Sequence, residues 1–353
     1  MMKRKDSVSF SIIIPVQNGE KTIERLLGSL IIQKQRILEV LICNDHSTDR
    51  TVEIANQYKG VLPITILNVP DELGNSPGNA RQVGLDYASG EWIVFADADD
   101  ILTFNALGFY DSVIKTNPNS HLVVAAFDEV NFDPFYTIEH LYAPFAWVHA
   151  KAFNAAFIKK NNLRFHSTLF THEDKYFTFL NVFSLKVLYD EEPLVFDTTT
   201  YYWCRSEGTI VSRDKGKYSL ISMDESMDAM IESCEAVSIK HSLSTDEICK
   251  KFGTDLLSAI IDAYFKIQCS EFYWGKKELD ERDTVKKVQK RIGKIKRLTG
   301  WNIEDIVRQC TEDPKMFECG KRDSIRTMGE FIPRQSFYEF LNEQEEAEIG
   351  KQS

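Results

Sequence analysis

A chain of 353 residues, 43% hydrophobic and 27% charged, has the composition of an ordinary globular protein, long enough for one large domain with an appendage or for two domains. Its formal net charge of −11 excludes a protein coated in basic surface, though not a local basic patch. Its cysteines are odd in number and form no C-x-x-C pair, which reads as reduced thiols in a cytoplasmic protein rather than a disulfide framework or zinc cluster.

The basic N-terminus leads into a short strand-like segment, Val8–Val16, and not a signal h-region; no apolar stretch reaches the ~20 residues that span a bilayer. Any membrane contact is expected to be peripheral. Ser9–Val16 reads as a buried strand closed by Pro15, with a turn at Asn18 and Gly19. Ile23, Leu26, Leu27, Leu30 and Ile31 then fall at helical spacing. Glu39–Asn44 is a second strand, ended by Asp45, with turn chemistry at Ser47, Thr48 and Asp49. A short helix through Val52, Ile54, Ala55 and Tyr58, a third strand at Ile64–Val69 and a glycine-bearing segment Gly74–Gly84 opening another helix follow. Glu91–Asp100 then reads Glu-Trp-Ile-Val-Phe-Ala-Asp-Ala-Asp-Asp. Its apolar run lacks alternation, as suits a strand buried on both faces, and three carboxylates close it. Strands alternating with helices predict an α/β, parallel, doubly wound sheet, whose strand C-termini share one ligand-binding edge.

Asp97 and Asp99 point the same way if extended geometry persists through them, and like charges so close favour a neutralising divalent cation. The competing reading is capping of a helix that starts near Phe104; it accounts for one aspartate, and Thr103 is better placed for it. Asn18, Asp45, Asp97 and Asp99 recur at the predicted edge, and Arg81 adds a cation. That set suits a nucleoside diphosphate, although each residue singly reads as a turn or surface group.

Ile14-Pro15-Val16-Gln17-Asn18, Asn44-Asp45-His46-Ser47-Thr48-Asp49, Gly78-Asn79-Ala80-Arg81 and Phe95-Ala96-Asp97-Ala98-Asp99-Asp100, in this order and spacing, resemble the family 2 glycosyltransferases of the GT-A fold. The resemblance covers residues 1–215. It implies a Rossmann-like, mainly parallel sheet with a nucleotide-sugar half at 1–102 and an acceptor half at 103–215. It implies further that the backbone at Pro15 and Val16, with Asn18, Asp45 and Arg81, holds the nucleotide. Asp97 would lie near ribose and metal, and Asp99 would bind the Mg²⁺ or Mn²⁺ that bridges the diphosphate. Gln17 and Gln82 depart from the Tyr and Asn common in relatives, beside the contacting positions.

Further on, Ala106–Ile114 reads as a helix, His121–Phe127 as a strand and Asp128–Pro144 as irregular and aromatic. Phe145–Lys151, Asn162–Phe165 and Thr171–Phe177 are similar to the family's Trp/His-x-Lys segment, its Asn-x-x-Arg/x-Phe stretch and the Glu-Asp pair opening a helix. By that resemblance Asp174 is the general base and Glu173 its neighbour. An acceptor hydroxyl must lose its proton as it attacks the anomeric carbon, in one inverting displacement without an enzyme nucleophile. Alternatively, acids simply favour a first helical turn. Trp147 reads as an acceptor stack or as core, and His149 and His172 as acceptor or phosphate contacts or as structural histidines. Val195–Arg205 reads as a strand; with Ser206–Ser212 it resembles the family's closing segment, which places Arg205 toward the diphosphate, a surface arginine being the alternative.

Helical patterns at Leu220–His241, Thr245–Phe272 and Thr284–Leu298 predict a helical extension over 216–353. In the last of them Val285, Val288, Ile292, Ile295 and Leu298 form a stripe, and Lys286, Lys287, Lys290, Arg291, Lys294, Lys296 and Arg297 crowd the other faces. A solvated face is the first reading of Lys286–Arg297 and a polyanion contact the second. The expected activity is metal-dependent, inverting transfer from a nucleotide sugar, foremost a UDP-sugar, to a glycan hydroxyl. The alternative acceptor is a hydroxylated base in DNA, as in similar phage-encoded members, which would place the protein in an infected host's cytoplasm; a glycan acceptor admits a peripheral site at the inner membrane. A sugar nucleotidyltransferase would carry a Gly-rich basic loop where Pro15–Asn18 stands. A non-catalytic binding protein has no chemical need for Asp99 and Asp174.

Overall fold

The computed structural model describes residues 7–132, 135–141, 146–205, 217–268, 281–302 and 305, in two compact units, Met1–Arg213 and Asp214–Ser353. Unit 1 is built on β1 (Phe10–Val16), β2 (Ile37–Asn44), β3 (Ile64–Asn68), β4 (Trp92–Phe95), β5 (Ile101–Leu102), β6 (Leu122–Phe132), β7 (Phe135–Leu141), β8 (Lys151–Asn154) and β9 (Leu194–Arg205). They form one sheet in the order β3-β2-β1-β4-β8-β6-β9-β5, with β7 paired to β6. Its helices are α1 (Ile23–Ile31), α2 (Thr51–Gln57), α3 (Pro77–Tyr87), α4 (Ala106–Thr116), α5 (Ala155–Asn161) and α6 (Glu173–Tyr189).

Every residue of β1 and β4 is buried, as their unalternating apolar runs require. Ile12, Ile14 and Val94 join Ile23, Leu26, Leu27 and Leu30 of α1 in one core. Ile13 lies against α3, where a Cβ on Gly84 would come within 2.5 Å of Ile13 Cγ2 and 2.7 Å of Cys43 Sγ. Only glycine lets that helix lie so close to the sheet. Phe95 packs edge-on against Phe165 and Phe177, at 5.4 and 5.8 Å between ring centroids.

The sheet is parallel through β3, β2, β1 and β4. It then turns mixed: β8 runs antiparallel to both β4 and β6, so β6 and its parallel partner β9 again end at the same edge as β1 and β4. Two elements differ from expectation. The described part of the stretch predicted to be irregular is strand, β6 continuing to Phe132 and β7 pairing back antiparallel over Phe135–Leu141. All of Phe135–His140 is exposed, so β7 has no apolar alternation to read. At four residues, β8 is too short to show a period. Capping of α4 by Asp100 or Thr103 is also corrected. Its N-cap is Asn105, without a side-chain bond, while Thr103 Oγ1 donates to the Thr199 carbonyl.

Unit 2 contains α7 (Lys217–His241), α8 (Thr245–Gln268) and α9 (Glu281–Thr299). Met227, Met230, Ile231 and Cys234 of α7, Ile248, Phe252 and Leu256 of α8, and Ile292, Ile295 and Leu298 of α9 are buried. The solvated-face reading of the basic helix fails at two positions: Arg291 and Lys294 are buried and pair with Asp228 and Glu232 of α7 at 3.0 and 2.7 Å, while Lys290 is exposed. Arg297, though exposed, pairs with Glu235 at 3.1 Å. Acids three and four residues apart on one helix meet bases three apart on another. The side chains of Lys286 and Lys287, and the segment Ser206–Ser212, lie outside the described residues. No helix among the described residues is long and apolar enough to cross a membrane.

Candidate active site

The C-terminal ends of β1 and β2 are joined by backbone: the Asp45 amide donates to the Val16 carbonyl at 2.8 Å, and Gln17 Nε2 to the Asp45 carbonyl at 3.0 Å. Pro15 and Val16 are buried in that end of β1. Asn18 adopts φ +54°, and its Oδ1 accepts the Thr48 amide at 2.8 Å, so its side chain clamps the loop after β2. Asp45 is buried and lies 2.9 Å from His46 Nδ1; the opposite ring nitrogen is 2.6 Å from Asp71. Hydrogen bonds to Asp45 and then Asp71 raise the His46 pKa.

α3 opens on Ser76, whose hydroxyl accepts the Gly78 amide at 3.2 Å and donates to the Leu169 carbonyl at 2.9 Å. Asn79 Nδ2 donates to the carbonyls of Leu73 and Ser167, at 2.6 and 3.2 Å. These bonds pin the helix start to the chain leading into α6. A Cβ on Gly78 would lie 2.5 Å from Glu173 Cγ, so glycine is what admits Glu173 here. Arg81, only 5% exposed, pairs through Nη2 with Asp97 at 2.5 Å and through Nη1 with Glu173. The arginine expected at the nucleotide is thus a buried bridge between two carboxylates. Burial opposes its charge, but Asp97, Glu173 and Asp174 outweigh burial and raise its pKa.

Glu173 and Asp174 form the first turn of α6 after His172, which caps the helix at φ +61° with Nδ1 3.1 Å from Thr171 Oγ1. Glu173 is buried, and burial followed by the charge of Asp174 pushes its pKa up to about 7 against the pull of Arg81. Asp174 is half-buried and accepts the Lys175 amide at 2.7 Å; burial raises its pKa while Arg81 and that amide oppose the rise. Of the two, Asp174 is the carboxylate a substrate can reach. Lys151 is buried, donates to the Ala146 carbonyl at 2.8 Å, and is brought down to about 7 by burial, against the influence of Asp174. His149 stacks on Tyr201 at 4.8 Å and lies 5.9 Å from the Trp147 ring, and burial takes its pKa down to about 3. It is a neutral ring in an aromatic stack, with no hydrogen-bond partner at Nε2. Half-buried Trp147 accepts Thr178 Oγ1 at its carbonyl, at 3.0 Å, tying α6 to this stack.

After β4 the chain turns: the Asp100 amide donates to the Asp97 carbonyl at 3.0 Å. The strand alternation that would have aligned Asp97 with Asp99 therefore does not apply, and a turn presents both. Asp97 keeps a side chain 32% exposed beside Arg81; Asp99 is half-buried, and its carbonyl accepts Arg25. Asp100, which caps no helix, is instead bonded within the unit. It is 1% exposed and accepts the Tyr201 hydroxyl at 2.6 Å and the Cys204 amide at 2.8 Å. Burial, then the charges of Asp99 and Asp97, raise its pKa. Arg205, ending β9, has a mostly exposed side chain whose Nε donates to buried Glu129 of β6.

Among the described residues no three His, Cys, Asp or Glu side chains converge to hold a metal ion. Mg²⁺-type cations, however, are commonly held by one or two carboxylates completed by substrate phosphates. The partly exposed pair Asp97 and Asp99 fits a cation that arrives with a diphosphate; it does not fit a cage made by protein alone.

Residues 11–177 match the family model described as Glycosyl transferase family 2. The chain is 28% identical over 222 residues to "Poly(ribitol-phosphate) beta-N-acetylglucosaminyltransferase TarS" of Staphylococcus aureus strain Mu50, covering 58% of this chain and 37% of TarS. It is 28% identical over 184 residues to "Poly(ribitol-phosphate) beta-glucosyltransferase" of Bacillus spizizenii strain W23, covering 48% of this chain and 29% of that one. The match thus spans about a third of these curated relatives. The crystal structure of S. aureus TarS 1–349 in complex with UDP-GlcNAc superposes over 81% of this chain and 92% of that one, with a TM-score of 0.53 at 21% identity, which shows a shared fold. The matched span holds β1–β4 together with Asp45, Arg81, Asp97, Asp99, Glu173 and Asp174, so the region that carries the site matches glycosyl transferase family 2 and has the GT-A fold.

Proposed function

We propose that this protein transfers a sugar from a UDP-sugar to a hydroxyl group of a glycan acceptor, with inversion. The observation that carries the reading is the edge on which half-buried Asp174 follows Glu173, itself bridged by buried Arg81 to Asp97 at the end of β4. Donor carboxylate and acceptor base are then two ends of one rigid set. The acceptor oxygen attacks the anomeric carbon and passes its proton to Asp174, while the bond to the diphosphate breaks and UDP leaves. Burial strengthens Asp174 as a base.

Pro15, Val16 and Asp45 line the nucleotide end of the crevice, and Asn18 shapes its loop. Asp97 and Asp99 would hold Mn²⁺ or Mg²⁺, which supplies neutralisation of the departing diphosphate. Arg205 stands at the far end of the same sheet edge; on the acceptor side His172 opens α6, Trp147 is bonded to Thr178 of that helix, and His149 stacks against Trp147. Residues 1–102 serve the donor, 103–215 the acceptor. The names of the relatives support a polymeric polyol-phosphate or sugar acceptor. A DNA acceptor is the weaker alternative, since three of the cations that favoured it, Arg291, Lys294 and Arg297, pair with acids of their own unit. Free buried thiols at Cys43, Cys204 and Cys234 fit a reducing compartment, and we place the reaction in the cytoplasm.

The test is a panel of nucleotide sugars with Mn²⁺, read by thermal shift and by UDP release onto a glycan acceptor. UDP compounds with metal are expected to stabilise the protein. A shift from a different nucleotide, or from none, refutes the donor assignment. Asp174→Asn is expected to slow transfer roughly 10²–10⁴-fold with donor affinity retained. Loss of donor affinity would make Asp174 structural.

A further inference from the structure

The turn that presents Asp97 and Asp99 is held from a strand about a hundred residues further along the chain. The Asp97 amide donates to the Tyr201 hydroxyl at 2.9 Å, which donates in turn to Asp100 Oδ2 at 2.6 Å. The other Asp100 oxygen accepts the Cys204 amide at 2.8 Å. Both ends of the turn are thereby fastened to β9. Tyr201 and Asp100 are each 1% exposed, so water is no substitute for these bonds. The Tyr201 ring is itself fixed by stacking on His149, their planes 6° apart. The adjoining β5–β9 ladder pairs Ile101 with Tyr202 and Leu102 with Tyr201. Past that ladder the Cys204 amide meets the Asp100 carboxylate in place of a strand carbonyl. The bond to Tyr201 also occupies the Asp97 N–H, leaving the Asp97 side chain as its contribution to a ligand.

We propose that Tyr201 and Asp100 are positioning residues of the donor site, clamping the Asp97–Asp99 turn to β9 so that both carboxylates are held where a cation and diphosphate are gathered. The proposal rests on the glycosyltransferase reading and adds to it residues that touch neither donor nor acceptor. Because β9 ends at Arg205, one strand sets both the carboxylate turn and the arginine at the rim.

Tyr201→Phe in the full chain keeps the ring and its stack and removes only the hydroxyl. Asp100→Asn keeps the shape and an acceptor for the Cys204 amide. Without any ligand, hydrogen exchange at the Asp97 amide should quicken roughly tenfold in Tyr201→Phe, while that of Ile12–Ile14 in β1 stays the same. Unchanged Asp97 exchange overturns the clamp. By calorimetry, the Kd for UDP with Mn²⁺ should rise roughly tenfold in both variants, and the Kd for uridine should not move. Equal losses for both ligands would show general damage, and unchanged UDP affinity despite quickened exchange would show a bond without a positioning role; either overturns the proposal. Wild-type protein that binds neither UDP nor uridine refutes the glycosyltransferase reading, and with it the donor role of the clamp, while the exchange arm still reports whether the bond is made.

Discussion

Replacing Arg81 with methionine removes the cation between two carboxylates. Its own side chain is 5% exposed, that of Glu173 6% and that of Asp97 32%. Deleting one partner of a buried pair costs about 3–5 kcal/mol, because a charge is left without compensation. Two features reduce that here. Water reaches a third of Asp97 and screens it. Glu173, already pushed up to about 7, can escape ionisation by keeping a proton. Without Arg81 its folded-state value climbs further above the ordinary 4.5, so the folded state binds the extra proton, and stability is lost as pH rises through that value. The expected cost is about 3 kcal/mol at pH 8 and about 1–2 kcal/mol at pH 6. For a unit of this size the pH 8 figure is a Tm drop of roughly 6–12 °C. Thermal unfolding at the two pH values measures it, and adding Glu173→Gln to Arg81→Met should recover about half the loss at pH 8. A loss independent of pH, or no recovery from the second substitution, would refute the bridge.

The two single substitutions at buried titratable groups should bend the pH–stability curve in opposite directions. The contribution of Glu173 is full below 4.5 and lost as pH rises to about 7; that of Lys151 is full above 10.5 and lost as pH falls to about 7. Glu173→Gln should flatten the acid side and Lys151→Met the alkaline side of a Tm profile; a variant that retraces the wild-type curve contradicts the corresponding assignment. Gly78→Ala gains about 1 kcal/mol of helix propensity and loses about 1–3 kcal/mol to the clash with Glu173. Stability should fall by about 0–2 kcal/mol while transfer falls roughly tenfold, because the displaced first turn of α6 carries Asp174. Full activity in this variant would show that the turn adapts.

What was legible from residues alone followed burial. β1 and β4 are apolar on both faces and so announce a buried sheet, and the acids after β2 and β4 announce its edge. The helix opened by Glu173 and Asp174 rested on resemblance, since acids at a helix start carry little information singly. β7 was hidden because its exposed aromatics mimic a loop. The partners of Arg81 were hidden for a different reason. They stand 16 and 92 positions away, and only the packing of α3 against β1, β2 and α6 brings them together. The basic run of α9 misled similarly: its acids lie more than 60 residues earlier, on α7, where no periodicity of α9 records them.

Asp97, Asp99 and Asp100 show how adjacent like residues come to different ends. Were the strand to continue straight, Asp97 and Asp99 would share a face and Asp100 would lie opposite. The turn after Phe95 breaks that rule, and exposure then sorts the acids: 32% for the Asp97 side chain, 1% for Asp100. A ligand reaches the first and never the last. Burying a third carboxylate beside two others is costly, and burial with the neighbouring charges raises its pKa accordingly. The Tyr201 hydroxyl and the Cys204 amide offset that cost, and they are also what fasten the turn. Asp100 is therefore bonded into the turn without being open to a ligand, and the turn at the end of β4 is fastened to β9, a strand from the far end of the same unit.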